Sequence, residues 1–272
     1  MQTRLFEAFQ RLAYQQAGIA LRDSKGALVA ARVARRVRQL GLNDAGEYLD
    51  YLEADRAGTE MVHFLDAITT NFTSFFRENE HFEFLKQEAA GWAASGAREV
   101  RVWCAAAATG EEPYTLAMVL AETLRDTGVE FRILATDISV SALTFAAEGR
   151  YSKSRLERIP AALRARYFEP DTTTRSAELQ LKIVPGLRKH IVFKRLNLAT
   201  PPFPLRGNLD AVFCRNVMIY FDTPVRQRLV QDIERLLRPG APLVVAHSET
   251  LSGVRGELET VTSSIYRKRP SE

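Results

Sequence analysis

Cysteine is nearly absent: the 272-residue chain has only Cys104 and Cys214. Both fall in apolar, strand-like stretches, so they read as buried free thiols and not as a disulfide framework. No apolar run approaches the roughly 20 residues that a membrane helix needs. The opening MQTRLFEAFQRLAYQQAG patterns as an amphipathic helix and lacks the apolar centre and small-residue cleavage site of a signal peptide. A cytoplasmic protein without membrane insertion is expected. The four histidines are scattered without ligand spacing, so no metal is expected. The net charge of +4 is too mild to imply nucleic acid by itself. Also missing are the three-glycine dinucleotide fingerprint, which disfavours a nicotinamide dehydrogenase, and any Gly-Lys-Ser/Thr phosphate loop.

What is present is an ordinary globular composition, 46% hydrophobic and 26% charged. Residues 1–80 read as helices. The apolar positions of GALVAARVARRVRQLGL recur at helical spacing, Gly41 stops that helix, and Asn43 is placed to cap the next. A short polar break is expected at residues 69–73. Within residues 22–40, Arg22, Lys25, Arg32, Arg35, Arg36 and Arg38 stand against Asp23 alone. That run is either a solvated face or a surface steering an acidic partner. Beyond residue 99 buried-strand patterns (EVRVWC, FRILATD, LDAVFCRN, APLVVAHS) alternate with helices, which implies an α/β fold with a parallel sheet covered on both faces. One segment, residues 178–198, alternates polar and apolar residues around Pro185-Gly186. It reads as an inserted antiparallel hairpin, either a sheet-edge excursion or a docking module.

The informative turn is AAAATGEEPY, where a strand hands over to a helix. In open α/β sheets ligands sit beyond the carboxyl ends of the strands. Residues 105–110 have little side chain, so a ligand can approach the backbone. Glu111 and Glu112 would repel a pyrophosphate, although a helix N-terminus otherwise attracts one. They suit a cationic ligand, or they merely complement the helix dipole. The next strand ends at Asp137, placed to accept hydrogen bonds from ribose hydroxyls. Small turn and downstream acid together suggest S-adenosylmethionine, whose sulfonium and amino groups are cationic.

These residues resemble a known family, the chemotaxis receptor methyltransferases of CheR type. The matching pieces are TTNFTSFFRE (69–78), ATGEEPYTLAM (108–118), ATDIS (135–139), YF (167–168), LNL (196–198), FCRNVMIYFD (213–222), LLRPG (236–240) and HSE (247–249), in the family's order. The resemblance implies a Rossmann-like S-adenosylmethionine-dependent methyltransferase fold. A helical domain at 1–80 would recognise substrate and cover the cofactor. The methyltransferase domain would span 81–272, with a small antiparallel β-subdomain inserted at about 168–196. It implies transfer of a methyl group to glutamate carboxylates on the cytoplasmic helical bundle of chemoreceptors, with S-adenosylhomocysteine as product, for adaptation. By the same resemblance Asn71, Thr73, Arg77, Glu111, Asp137, Asn197, Leu198, Asn216 and Val217 bind the cofactor, and Arg77 and Tyr220 lie closest to methyl transfer. A monomer is expected. Two departures stand out: Ala108 replaces the family's frequent serine or cysteine, and DTTTRSAEL lacks the glycine-containing loop of members that dock on a receptor-tail pentapeptide.

The chemistry agrees. A glutamate carboxylate, pKa about 4.3, is already ionised at neutral pH and needs no general base to attack a sulfonium methyl. Placing oxygen, carbon and sulfur in line is then the main task, and a guanidinium such as Arg77 can hold the carboxylate through two parallel hydrogen bonds. Arg77 could instead form a surface ion pair, Tyr220 could be core, and Asn197 and Asn216 could be turn formers. An amino-directed nucleic-acid methyltransferase is a poorer match, since TPPF (200–203) has Thr200 where an acid or amide is needed and precedes the relevant strand. A binding module without turnover is the other alternative.

Overall fold

The computed structural model describes residues 3–172, 180–254 and 256–270. Helices α1 (Thr3–Ala17), α2 (Gly26–Leu40), α3 (Ala45–Ala54) and α4 (Thr59–Ile68) come first. Their apolar stripes meet in one core that includes Phe9, Val29, Val33, Val37, Tyr48, Leu52 and Phe64. The three valines recur every fourth residue, one side of α2. Gly41 ends α2 with φ of 70°, a left-handed conformation that glycine adopts without steric cost. The cap of α3 is Asp44, not Asn43: Asp44 has the extended backbone a cap needs, and its carboxylate accepts the Gly46 and Glu47 amides. Asn43 instead bonds the Glu47 carboxylate.

The basic run on α2 is divided. Arg36 grips Glu60 with two hydrogen bonds of 2.8 and 2.6 Å, and the Tyr48 hydroxyl donates to the same carboxylate. Arg32 donates to the Ala67 and Thr69 carbonyls at the end of α4, where a cation offsets the helix dipole. Arg35 and Arg38 are exposed one turn apart.

After a connection at residues 69–79, longer than the expected break, come α5 (Glu80–Ala94), β1 (Glu99–Cys104), α6 (Glu111–Thr123), β2 (Glu130–Asp137), α7 (Val140–Glu148) and β3 (Arg150–Ser152). Then follow α8 (Ala161–Tyr167), β4 (Phe168–Pro170), β5 (Gln180–Ile183), α9 (Pro185–Arg188), β6 (Ile191–Arg195) and β7 (Ala211–Phe213). The chain closes with α10 (Thr223–Leu236), β8 (Pro242–Val244), β9 (Glu259–Thr260) and β10 (Ile265–Arg267). The main sheet has the order β6-β2-β1-β7-β8-β10-β9. Its first five strands are parallel, and β10 runs antiparallel to both neighbours. β7 and β8 are buried at every residue, as expected of parallel strands covered on both faces. Cys104 and Cys214 are buried free thiols. Among the described residues no helix is long and apolar enough to cross a membrane.

The hairpin expected at residues 178–198 does not form. β5 pairs antiparallel with β3 and β4 in a separate three-stranded sheet, whereas β6 joins the main sheet parallel to β2. Pro185 starts the helical turn α9, which carries the chain from one sheet to the other. Alternation marks a half-buried strand but does not identify its partner. The small sheet therefore draws on residues 150–183, not 168–196. Most of DTTTRSAEL, residues 173–179, lies outside the described residues.

Candidate active site

The carboxyl ends of the parallel strands open into a cavity of about 480 Å³, within the usual range for small-molecule sites. Its floor is the turn after β1. Gly110 has φ of 97°, and a Cβ there would stand 2.7 Å from the Tyr151 hydroxyl and 2.8 Å from the Ala146 methyl, so no larger residue fits. Asp137, at the end of β2, accepts the Ala108 amide (2.8 Å) and the Ser139 amide (2.9 Å). Its carboxylate thereby fixes the small-residue turn. Burial raises the Asp137 pKa, opposed by those amides.

The adjacent glutamates diverge. Consecutive helical residues point about 100° apart, so both cannot face one cavity. Glu112 lines it. Glu111, the residue expected to do so, turns away: Arg155 holds it at 2.7 Å and the Thr109 hydroxyl donates to it at 2.7 Å. These contacts brace the turn.

Glu112 belongs to a buried charge network. One oxygen accepts from the Cys104 thiol (3.2 Å), the other from the Arg215 guanidinium (2.7 Å). Arg215, 3% exposed, also reaches the Arg77 carbonyl (2.5 Å) and Glu78 (3.2 Å), and lies over the Phe82 ring. Burial raises the Glu112 pKa and Arg215 opposes the rise. Burial would also raise Glu78, but Arg215 and the His247 amide outweigh it and leave the pKa lowered. Glu78, His81 and His247 converge, their ligand-type atoms within 4.8 Å of one another. The fold thus brings together two histidines that are 166 positions apart in sequence. Burial and Arg215 push the His81 pKa down to about 4. Arg215 already supplies the positive charge beside Glu78, so this cluster is a compensated network.

A second buried carboxylate organises the adjoining wall. Glu249 accepts the amides of Asn216 (2.9 Å), Met218 (2.8 Å) and Ala246 (2.9 Å). It holds Asn216 at a left-handed φ of 59° and the Met218–Tyr220 turn in place. The third wall comes from the connection after α1, where the Ala20 amide donates to the Tyr220 carbonyl (2.8 Å) and Asn197 Nδ2 to the Gln16 carbonyl (2.8 Å).

Of the expected residues, Asn71, Thr73, Arg77, Asp137, Asn197, Leu198, Asn216, Val217 and Tyr220 all line this cavity. Asn197 also forms a turn, its Oδ1 accepting the Ala199 amide. Sequence reasoning weighed both glutamates but assigned Glu111 where Glu112 lines the cavity, and it missed Arg215, Glu249 and the residue 17–21 wall. Arg215 and Glu249 lie inside the quoted stretches FCRNVMIYFD and HSE, which was the available signal.

The donor set fits S-adenosylmethionine: acids at two positions, small residues between them, and apolar Leu198 and Val217 on the walls. The comparisons agree. Residues 4–69 match "CheR methyltransferase, all-alpha domain" and residues 71–267 match "CheR methyltransferase, SAM binding domain". Chemotaxis protein methyltransferase 2 of Pseudomonas aeruginosa is 38% identical over 96% of this chain and 91% of its own length. The chemotaxis protein methyltransferase of Escherichia coli is 38% identical over 96% and 89%. A solved structure, a putative sarcosine dimethylglycine methyltransferase from Galdieria sulphuraria, is 14% identical with a TM-score of 0.35 over 61% of this chain and 46% of its own, too remote to add weight. A Rossmann-like sheet, a helical unit ahead of it and near-full-length relatives of one kind lead to one conclusion: the chain belongs to the CheR family of S-adenosylmethionine-dependent methyltransferases.

Proposed function

We propose that the protein methylates glutamate carboxylates on the cytoplasmic helices of chemoreceptors. A helical unit meets the receptor and a second unit holds the methyl donor; the two family matches, residues 4–69 and 71–267, favour two units with their boundary near residue 70, ahead of the expected 80/81. The observation that carries the reading is the pairing of a buried acid, Glu112, with a partly exposed arginine, Arg77, on one cavity. The bound donor supplies an electrophilic methyl on a positive sulfur. Glu112 and Asp137 give its cationic and hydroxyl groups acceptors. Arg77 is only loosely engaged, 3.1 Å from the Phe72 carbonyl and 3.9 Å from Glu78, and so is available to receive the acceptor carboxylate through two hydrogen bonds. Tyr220, whose backbone carbonyl accepts the Ala20 amide, lines the same cavity. No residue needs to remove a proton, because the acceptor is already ionised.

Incubation with tritiated S-adenosylmethionine and a receptor cytoplasmic domain tests this. Base-labile volatile label is expected, as a carboxyl methyl ester gives. Arg77→Ala should lose most of the label even at saturating S-adenosylmethionine. Full turnover in that variant would refute the role of Arg77, and base-stable label would refute the ester.

A further inference from the structure

The turn at the cavity floor is held from outside the main sheet. Tyr151, in β3, is 1% exposed, and its hydroxyl donates to the Thr109 carbonyl at 2.7 Å. Arg155, four residues on, bonds the Glu111 carboxylate at 2.7 Å and the Thr109 hydroxyl at 3.0 Å. That hydroxyl itself donates to Glu111, so Arg155, Thr109 and Glu111 close a ring of contacts. The Arg155 guanidinium lies over the Phe145 and Tyr151 rings, 5.2 and 5.7 Å from their centres, an attraction that favours this one placement.

The same stretch reaches the segment that carries Arg77. The Tyr151 ring stands edge-on to Phe75, with 5.0 Å between centres, and Arg158 donates to the Ser74 hydroxyl at 3.3 Å. Phe75 is fully buried two residues before Arg77, and it also packs edge-on to Phe168 of β4. β3 in turn pairs with β5 in the small sheet. Residues 150–158 are therefore a strap: the Tyr151 hydroxyl and Arg155 hold the floor turn, and the Tyr151 ring and Arg158 hold the Arg77 segment. Neither Tyr151 nor Arg155 lines the cavity. They act on the reaction only through what they hold.

We propose that Tyr151 and Arg155 are positioning residues for methyl transfer: their strap ties the turn beneath the methyl donor to the segment that presents Arg77, and so sets the spacing of sulfur, methyl carbon and carboxylate oxygen. The proposal rests on the methyl-transfer reading above and deepens it. An acceptor that is already ionised needs no proton removed, so geometry carries the acceleration. A misplacement of about 1 Å caused by a change far from the chemistry can cost about 100-fold in rate. The small sheet thereby belongs to the reaction geometry, although none of its strands reaches the cavity.

The test uses the full chain and four variants: Tyr151→Phe, Arg155→Met, Arg155→Lys, and Arg155→Met combined with Glu111→Gln. Methyl-transfer kinetics on a receptor cytoplasmic domain, S-adenosylhomocysteine affinity by calorimetry and melting temperature are measured. Tyr151→Phe keeps the ring against Phe75 and deletes only the bond to Thr109. Its kcat should fall about tenfold, with receptor KM and S-adenosylhomocysteine affinity changed by less than about threefold. Arg155→Met should lower kcat further and lower the melting temperature, because Glu111 is left buried without its cation. Arg155→Lys keeps a cation at Glu111 and should recover most of both. The double variant separates the two effects. It removes the stranded charge, so the melting temperature should return while kcat stays low, the turn being still untied. A kcat within about twofold of the unmodified chain in Tyr151→Phe overturns the proposal. A double variant whose kcat returns together with its melting temperature overturns it too, because the contacts would then support only the fold. So does a loss confined to S-adenosylhomocysteine affinity, with kcat at saturation unchanged. Absence of label with the unmodified chain would instead overturn the methyl-transfer reading, and the positioning role with it.

Discussion

Replacing Arg215 by methionine tests the buried charge network. The Arg215 side chain is 1% exposed and bonds Glu112 at 2.7 Å and Glu78 at 3.2 Å. Methionine preserves an apolar stem over Phe82 but strands Glu112 in the interior. Removing one partner of a buried pair costs about 3–5 kcal/mol. At about 2–4 °C per kcal/mol for a chain of this size, the melting temperature should fall by roughly 6–20 °C. The pH dependence is more diagnostic. Burial raises the Glu112 pKa above its ordinary 4.5, and Arg215 restrains the rise. Without Arg215 it climbs further. A carboxyl whose folded pKa exceeds its unfolded value binds more protons when folded, so its contribution is lost as pH rises from the unfolded toward the folded pKa. The deficit of the variant should therefore be smallest near pH 4.5 and grow toward neutral pH. Adding Glu112→Gln removes the stranded charge and should restore at least half of the lost stability. Thermal melts followed by circular dichroism between pH 5 and 8 provide the measurement. A deficit that is the same across that range, or a double variant no more stable than the single one, would refute the reasoning.

Two further outcomes are expected. Asp137→Asn keeps one acceptor but turns an NH2 group against a backbone amide, so S-adenosylhomocysteine affinity should fall about 10–100-fold; calorimetry showing normal affinity would remove Asp137 from the site. Reversing the exposed Arg35 and Arg38 to glutamate, while leaving the structural Arg32 and Arg36 intact, should raise the receptor KM several-fold at low salt and much less at high salt. An unchanged KM at low salt would leave the exposed pair as a solvated face only.

The parallel sheet was legible because its strands are near-continuous apolar runs, VWC and AVFC among them, that only a sheet buried on both faces produces. The small-residue turn at the cavity floor was legible for a similar reason, since tiny residues before Gly110 leave room for little but backbone. Which of two neighbouring glutamates faces the cavity was not, because that depends on where α6 starts relative to the turn, and one residue rotates the answer by about 100°. Nor was the Arg215 hub, whose partners lie 103 and 138 positions away. The partner of β6 was hidden because polar and apolar alternation looks the same in either sheet. The basic run on α2 looked uniform in sequence, but only contacts across to Glu60 and the end of α4 separate braces from free charge.

The amide of Ala20 closes the cavity against a carbonyl 200 residues further along the chain. The cavity is thus finished only when the segment after α1 meets the loop after β7. A polypeptide cut between its helical and sheet units would yield two pieces, each with a core of its own and neither with a closed binding chamber. Packing divides this molecule in two, while the cavity draws on both parts.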